Sequence, residues 1–473
     1  MRIAAAAQMR SATLVLLLGS VSILSVACGP KKSAPVLPAS CDVPWITANQ
    51  SSAGVVDVNL TAAETDWDPG TGVPIHGLAY NGIVPGPVIP ITAGETLRVH
   101  FTNALSVEGT TVHWHGVRIA WAMDGVPGLT QDAILPGQTF VYQFTVPDPG
   151  FYWYHPHMQT AKDIERGLYG RIISRDPAEP VVDCDMPIAL DDVLLGADGQ
   201  VVAPSLPNRA HGNLGNLLLA NGRIDTRVPI SKGGHTLLRL VNAANARTFD
   251  LSIEGHSMRV VGTDQGWLPV PYTTDRLVMA GGERYEVLVD GTGEPGHEYR
   301  VISHSHLDDP MELDPLPGDR PIFTLVYDQQ QKNEPVPSFP PPAIPAWTPG
   351  PVAHKYVLND IMQANGGMIS TIDGKSYPNV PMVMFSGAGE PVTLQIENDA
   401  SGMHPMHFHG ERLLVVARNG TTQLNPGWKD TVMVAPHETV TLMSMFDNPG
   451  SWMFHCHILE HAEDGMMAMF MAN

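Results

Sequence analysis

At 473 residues and a formal net charge of −21, the chain is long enough for about three domains, each burying its own core. That charge excludes nucleic acid as a partner, because no phosphate backbone would be drawn to it, and favours cationic or neutral substrates. Its 45 glycines and 42 prolines, with valine and threonine in short runs, predict many short strands joined by turns and therefore an all-β architecture.

The chain opens on a targeting segment. Arg2 and Arg10 precede an apolar run from Leu14 to Ala27 that is too short for a comfortable membrane span. Ser25-Val26-Ala27 supplies the small residues a signal peptidase needs, so residues 1–27 read as a signal peptide. Cys28-Gly29 follows at once, and the junction resembles a bacterial lipoprotein signal with Cys28 lipidated, although Ser25 stands where such signals carry Leu. Plain secretion is the other reading; periplasmic or outer-membrane-anchored placement goes with the first. Residues 28–41, with their prolines, form a tether. Cys28 is the anchor candidate and Cys456 sits among histidines, which leaves Cys41 and Cys184. Export to an oxidising compartment predicts a disulfide between them; two separate buried thiols are the alternative.

Three later stretches share one shape. Leu97–Asn103, Leu237–Asn242 and Val392–Asn398 each follow a turn containing Gly94, Gly234 or Gly389, and each ends in Asn. A β-sandwich repeated three times explains the recurrence. Asp176-Pro177-Ala178-Glu179-Pro180 and the proline-rich stretch from Gln329 to Pro351 read as linkers. Domains are therefore expected at 42–178, 179–330 and 352–473, with a linker over 331–351.

Ten of the twenty histidines fall in four groups: His113-Trp-His115, His155-Pro-His157, His404-Pro-Met-His407-Phe-His409, and His455-Cys456-His457 with His461. Two groups lie in the first domain and two in the third, so a shared site belongs between those domains. Residues i and i+2 of a strand point to one face, and each H-x-H unit therefore offers two imidazoles together. Four units give eight imidazoles, enough for three coppers with three, three and two ligands. Cys456 points away from its flanking histidines. With His404, His461 and Met466 it completes a His₂Cys site with a weak axial thioether, the pattern of a blue electron-transfer copper. Met467 is the neighbour that competes with Met466 for the axial role, and Met466 as plain core is the bland reading. His304-Ser305-His306 is a further H-x-H pair, but it has no partner cluster and stands beside turn residues, so a surface loop is expected there.

These motifs, in this order, resemble those of the multicopper oxidases, specifically the three-domain laccase-like enzymes of bacteria. The resemblance covers nearly the whole mature chain, including Gly86-Pro87 and the Asn448-Pro449-Gly450 turn. It implies three consecutive cupredoxin-like Greek-key β-sandwich domains and four copper ions. His404, Cys456, His461 and Met466 match the type 1 ligands, and His113 and His407 the type 2 ligands. His115, His155 and His457 match one type 3 copper; His157, His409 and His455 match the other. The resemblance also implies that electrons enter through His461, and that Glu460 and Asp124 relay protons to bound oxygen, as an acid near reduced oxygen would. A solvated carboxylate for Glu460 and a plain turn residue for Asp124 are the alternatives.

The expected enzyme is a monomer that oxidises phenols or aromatic amines by single electrons and reduces dioxygen to water. Cuprous ion is the rival substrate, since Met362, Met368, Met382, Met384, Met403 and Met406 precede or enter the third motif and thioether suits Cu(I). A non-catalytic copper-binding or scaffold protein of the cell envelope would be expected to lack ligands, and a copper nitrite reductase to be shorter. Neither description fits this chain.

Overall fold

The computed structural model describes residues 41, 43–52, 54–204, 206–306, 314–363, 368–385 and 389–473. The signal peptide, Cys28 and nearly all of the tether lie outside the described residues, as do positions 307–313, which follow the second-domain pair His304 and His306.

Six sheets draw their strands from three consecutive stretches of chain. The first stretch builds a five-stranded sheet around Val55–Trp67 and Thr96–Asn103, faced by a three-stranded sheet of Val88–Thr92, Gly170–Arg175 and Gly150–Tyr154. The second builds six- and five-stranded sheets, and the third seven- and five-stranded ones. Each pair is a cupredoxin-like sandwich. In every case a parallel pairing sits among antiparallel ones: Val55–Trp67 with Thr96–Asn103, Cys184–Val193 with His235–Asn242, and Val352–Met362 with Val392–Asn398. Helix is confined to short segments such as Thr160–Glu165 and Leu459–Glu463.

The asparagines that end the three similar strands explain why the pattern recurs. Asn103, Asn242 and Asn398 are wholly buried. Each Oδ1 accepts from the backbone N–H two residues on, at Leu105, Ala244 and Ala400, over 2.9–3.0 Å. Each Nδ2 donates to two carbonyls across the loop: Glu108 and Ile134, Arg247 and Met279, Gly402 and Val434. One buried amide thus satisfies three backbone groups that would otherwise be orphaned. Only Asn has both the reach and the donor-plus-acceptor set to do so.

The cores are not all separate. One cluster joins Phe151, Trp153 and Ile173 of the first sandwich to Leu238, Leu240 and Val287 of the second, and Leu459 of the third. A disulfide links Cys41 to Cys184, with Cα atoms 5.7 Å apart, across the same junction. Shared apolar surface and a covalent tie oppose sliding between these sandwiches. His304, read above as part of a surface loop, instead ends strand Glu298–His304. Its Nε2 meets the Ser252 hydroxyl at 2.8 Å and its Nδ1 lies 3.0 Å from Asp319. Only His306 follows the strand.

Candidate metal centre

Strand pairing brings the four histidine motifs together. In the first sandwich an isolated bridge sets His113 opposite His155. In the third, His404–Phe408 lies beside Gly450–Cys456 with His407 opposite His455 and Met406 opposite Cys456. Alternation then sorts the side chains. His407 and His455 share one face; His404, Met406 and Cys456 share the other.

On the second face, Cys456 Sγ stands 3.6 Å from His404 Nδ1 and 3.9 Å from His461 Nδ1. His461 is turned by donating its Nε2–H to the Ala210 carbonyl at 3.1 Å. Met466 is fully buried and fastened by its backbone, its carbonyl accepting from Cys456 N and its N–H donating to His461 O. Met467 is elsewhere, opposite His455 on the next strand. Burial pushes the Cys456 thiol up, so only a bound cation would make it a thiolate at neutral pH.

On the first face, three sets of ligand atoms each lie within 4.8 Å of one another: His113, His407 and His409; His113, His115 and His155; and His157, His409 and His455. His457 completes the ring, its centroid 5.0 Å from that of His115 and 5.8 Å from that of His155. Burial, reinforced by neighbouring imidazoles, pulls His115, His155, His455 and His457 well below the ordinary histidine range. It brings His157 and His404 down to about 3. These rings are therefore neutral at pH 7, each with a lone pair to offer.

For six of the rings the other nitrogen fixes where the lone pair points, because a carbonyl or carboxylate can only accept. The Nδ1–H of His113 donates to Asp124 O, of His155 to Pro156 O, of His407 to Asp430 O and of His455 to Cys456 O, all within 2.8–3.1 Å. His409 Nδ1 donates to the Asp124 carboxylate at 2.8 Å. His115 is reversed: its Nε2 meets Thr431 Oγ1 at 3.0 Å and Asp430 Oδ1 at 3.2 Å, leaving Nδ1 inward. The inward nitrogens then confront one another. His409 Nε2 and His455 Nε2 are 3.0 Å apart, and His155 Nε2 and His115 Nδ1 are 3.5 Å apart. His113 Nε2 and His407 Nε2 are buried without any hydrogen-bond partner. Opposed and orphaned lone pairs in a buried site are costly, and soft or borderline cations with imidazole preference remove that cost. The residues present fit copper.

The second sandwich gives no ligand but closes the site. Arg284, fully buried, donates to both Asp430 carboxylate oxygens at 2.6 and 2.5 Å and to Phe151 O at 2.9 Å, so it touches the first and third sandwiches at once. Gln265 Nε2 bridges Gly116 O and Asp430. Gly116 holds a left-handed φ of 84°, and a Cβ there would stand 2.3 Å from Arg284 and 2.5 Å from Asp430. Gly282, at φ 81°, would meet His457 at 2.9 Å. Only glycine fits either place.

Glu460 lies on the short helix Leu459–Glu463 and is buried, accepting from Asn213 N–H and Asn245 Nδ2. Burial raises its carboxyl above the ordinary range. Asp124 holds both His409 and His113, the latter at 3.2 Å. Sequence reasoning missed Asp430, Arg284 and Asp360, the last of which lies 3.9 Å from His404 Nε2.

Three multicopper oxidase family models match the chain, at residues 61–179, 201–313 and 349–473. The chain is 30% identical to the multicopper oxidase MmcO of Mycobacterium tuberculosis, covering 89% of this chain and 87% of that protein. It is 27% identical to Laccase-2 of Botryotinia fuckeliana, covering 91% and 84%. Among solved structures it is similar to a multicopper oxidase from Campylobacter jejuni described as a metallo-oxidase, with a TM-score of 0.81, 25% identity, and coverage of 91% of this chain and 95% of that one.

Arg284 and Asp430 supply a stability test. Arg284→Met strands a buried carboxylate and is expected to cost about 3–5 kcal/mol, whereas Arg284→Met with Asp430→Asn should recover part of it. Denaturant unfolding of the copper-free proteins checks this. A single variant as stable as the parent would rule out the pairing as described.

Proposed function

The chain belongs to the multicopper oxidase family, and from that premise we propose that it couples one-electron oxidation of a small reductant to reduction of dioxygen to water through four coppers. The observation that carries the assignment is the set of buried, inward-facing imidazole lone pairs, six of the eight rings being fixed by a hydrogen bond at the outward nitrogen. His404, Cys456, His461 and Met466 would hold one copper. His113 and His407 would hold a second, His115, His155 and His457 a third, and His157, His409 and His455 a fourth. Bound copper supplies the one-electron steps and the open positions at which dioxygen is reduced.

The protein's own residues do the rest. His461, 6% exposed and lining a small cavity, is where an electron crosses from the substrate. Cys456 is bonded through the backbone to His455 and His457, which gives the electron a covalent path from one face of the strand to the other. Glu460, its carboxyl raised above the ordinary range by burial and oriented by Asn213 and Asn245, is the group that passes a proton to the oxygen site. Asp124 orients His409 and His113 and is the second relay carboxylate.

For the reductant we favour cuprous ion. The cavity beside His404 and His461 measures only about 30 Å³ and is lined by Asp360, Met368 and Met403. Thioethers and one carboxylate suit a soft cation, and the space is too small for an aromatic ring. Phenols and aromatic amines form the second reading, supported by the likeness to a laccase; they would donate at the His461 edge without entering the cavity.

The proposed setting is outside the cytoplasm, as a monomer, lipid-anchored at Cys28 or released. The Cys41–Cys184 disulfide supports an oxidising compartment. Among the described residues no helix is long and apolar enough to cross a membrane.

Three measurements test this reading. The copper-loaded protein should carry about four copper ions per chain and an intense blue Cu–thiolate band; a colourless protein, or one copper alone, would defeat it. Glu460→Gln should slow dioxygen reduction about 100-fold while the blue band persists, and an unchanged rate removes the relay role. Asp360→Asn should raise KM for cuprous ion about tenfold or more while KM for a phenol stays put. Equal effects on both would favour the phenol reading.

A further inference from the structure

The alternation that turns His455 toward the histidine cluster turns a methionine with it. Met453 lies two residues earlier on Gly450–Cys456 and so shares its face. Across the ladder to Met467–Ala472, Met469 is the direct partner of Met453, and Met467 that of His455. Directly opposed residues have Cβ atoms about 4.5–5.5 Å apart. The three thioethers gather with Val126 and Leu129 into a small apolar cluster. Together they line a cavity of about 250 Å³ whose other lining includes His155, His157 and His455.

Two facts set this wall apart from ordinary core. Met453 and Met469 are only 6% and 8% exposed, so they are shielded from bulk solvent while facing a cavity that opens on the cluster. The electron route described above runs through Cys456 on the opposite face of the strand and uses none of the three. Leucine would fill the same space without a readily oxidised atom.

We propose that Met453, Met467 and Met469 are oxidation sites that intercept hydrogen peroxide released by incomplete reduction of dioxygen at the cluster; the inference rests on the multicopper oxidase reading. Each thioether sulfur attacks one oxygen of the peroxide. An S–O bond forms as the O–O bond breaks, sulfur is oxidised by two electrons, and the second oxygen departs as water once the proton left on the sulfoxide oxygen has been transferred to it. Hydrogen peroxide is uncharged, so an apolar wall does not repel it. The product is methionine sulfoxide, which sulfoxide reductases return to thioether, so the guard is renewable where histidine oxidation is not.

The test compares positions within one chain. Met362, Met382 and Met384 are 69%, 46% and 64% exposed and serve as internal controls. The copper-loaded protein is turned over in air with a reductant, oxygen uptake is followed, and sulfoxide is mapped by peptide mass spectrometry. A second sample, without reductant, receives hydrogen peroxide from bulk solution. During turnover the three cavity methionines should be oxidised several-fold ahead of the exposed three, and in the bulk arm the order should reverse. Oxygen uptake with exposure-ordered oxidation in both arms, or with the cavity methionines unmodified, overturns the inference alone. Absence of oxygen uptake overturns the oxidase reading and the inference with it.

Discussion

Packing imidazoles into one buried site sets a condition that six of the rings meet: one nitrogen faces inward with its lone pair while the other finds an acceptor outward. For His113, His155, His407 and His455 that acceptor is a backbone carbonyl, so ring orientation is inherited from the course of the chain. The two carboxylates work across the domain boundary. Asp124 of the first sandwich orients His409 of the third, and Asp430 of the third orients His115 of the first. Each sandwich thereby sets the ligands of the other, and the two cannot separate without disorienting both.

The second sandwich gains its importance from this reciprocity. It holds none of the ten clustered histidines, yet Arg284 neutralises Asp430 and reaches Phe151, and Gly282 lets its backbone lie against His457. A carboxylate buried so completely would otherwise lose its charge or its place. The domain without ligands is thus what allows the domains with ligands to keep an anion beside them.

Much of this was written in short-range pattern. Spacing of two along a strand announced the paired imidazoles, and the same alternation separated Cys456 from its flanking histidines. The strand-ending asparagines marked the threefold repeat before their buried hydrogen bonds explained it. Groups that act across long separations left no such trace. Arg284 and Asp430 are 146 residues apart, and Lys429-Asp430-Thr431 reads as any charged strand edge. Asp360 has no local pattern, and its place near His404 follows from sheet order alone. His304 was misjudged for a related reason: its neighbours are turn residues, but the strand carrying it is fixed by pairing with Phe249–Ile253. Met453 and Met469 carried no signal in the sequence, and Met467 stood out only as a neighbour of Met466, because composition does not say what a cavity wall faces.

The division of ligands between the first and third sandwiches bears on synthesis. Each H-x-H set is half of a site, and the second half begins at His404. A nascent chain that has folded its first two sandwiches holds four clustered histidines and no clustered cysteine, too little to retain a reactive group of coppers. Redox-active metal therefore becomes trapped only once the last strands have docked. A chain cut short before His404 lacks the second half of the site and cannot assemble the centre.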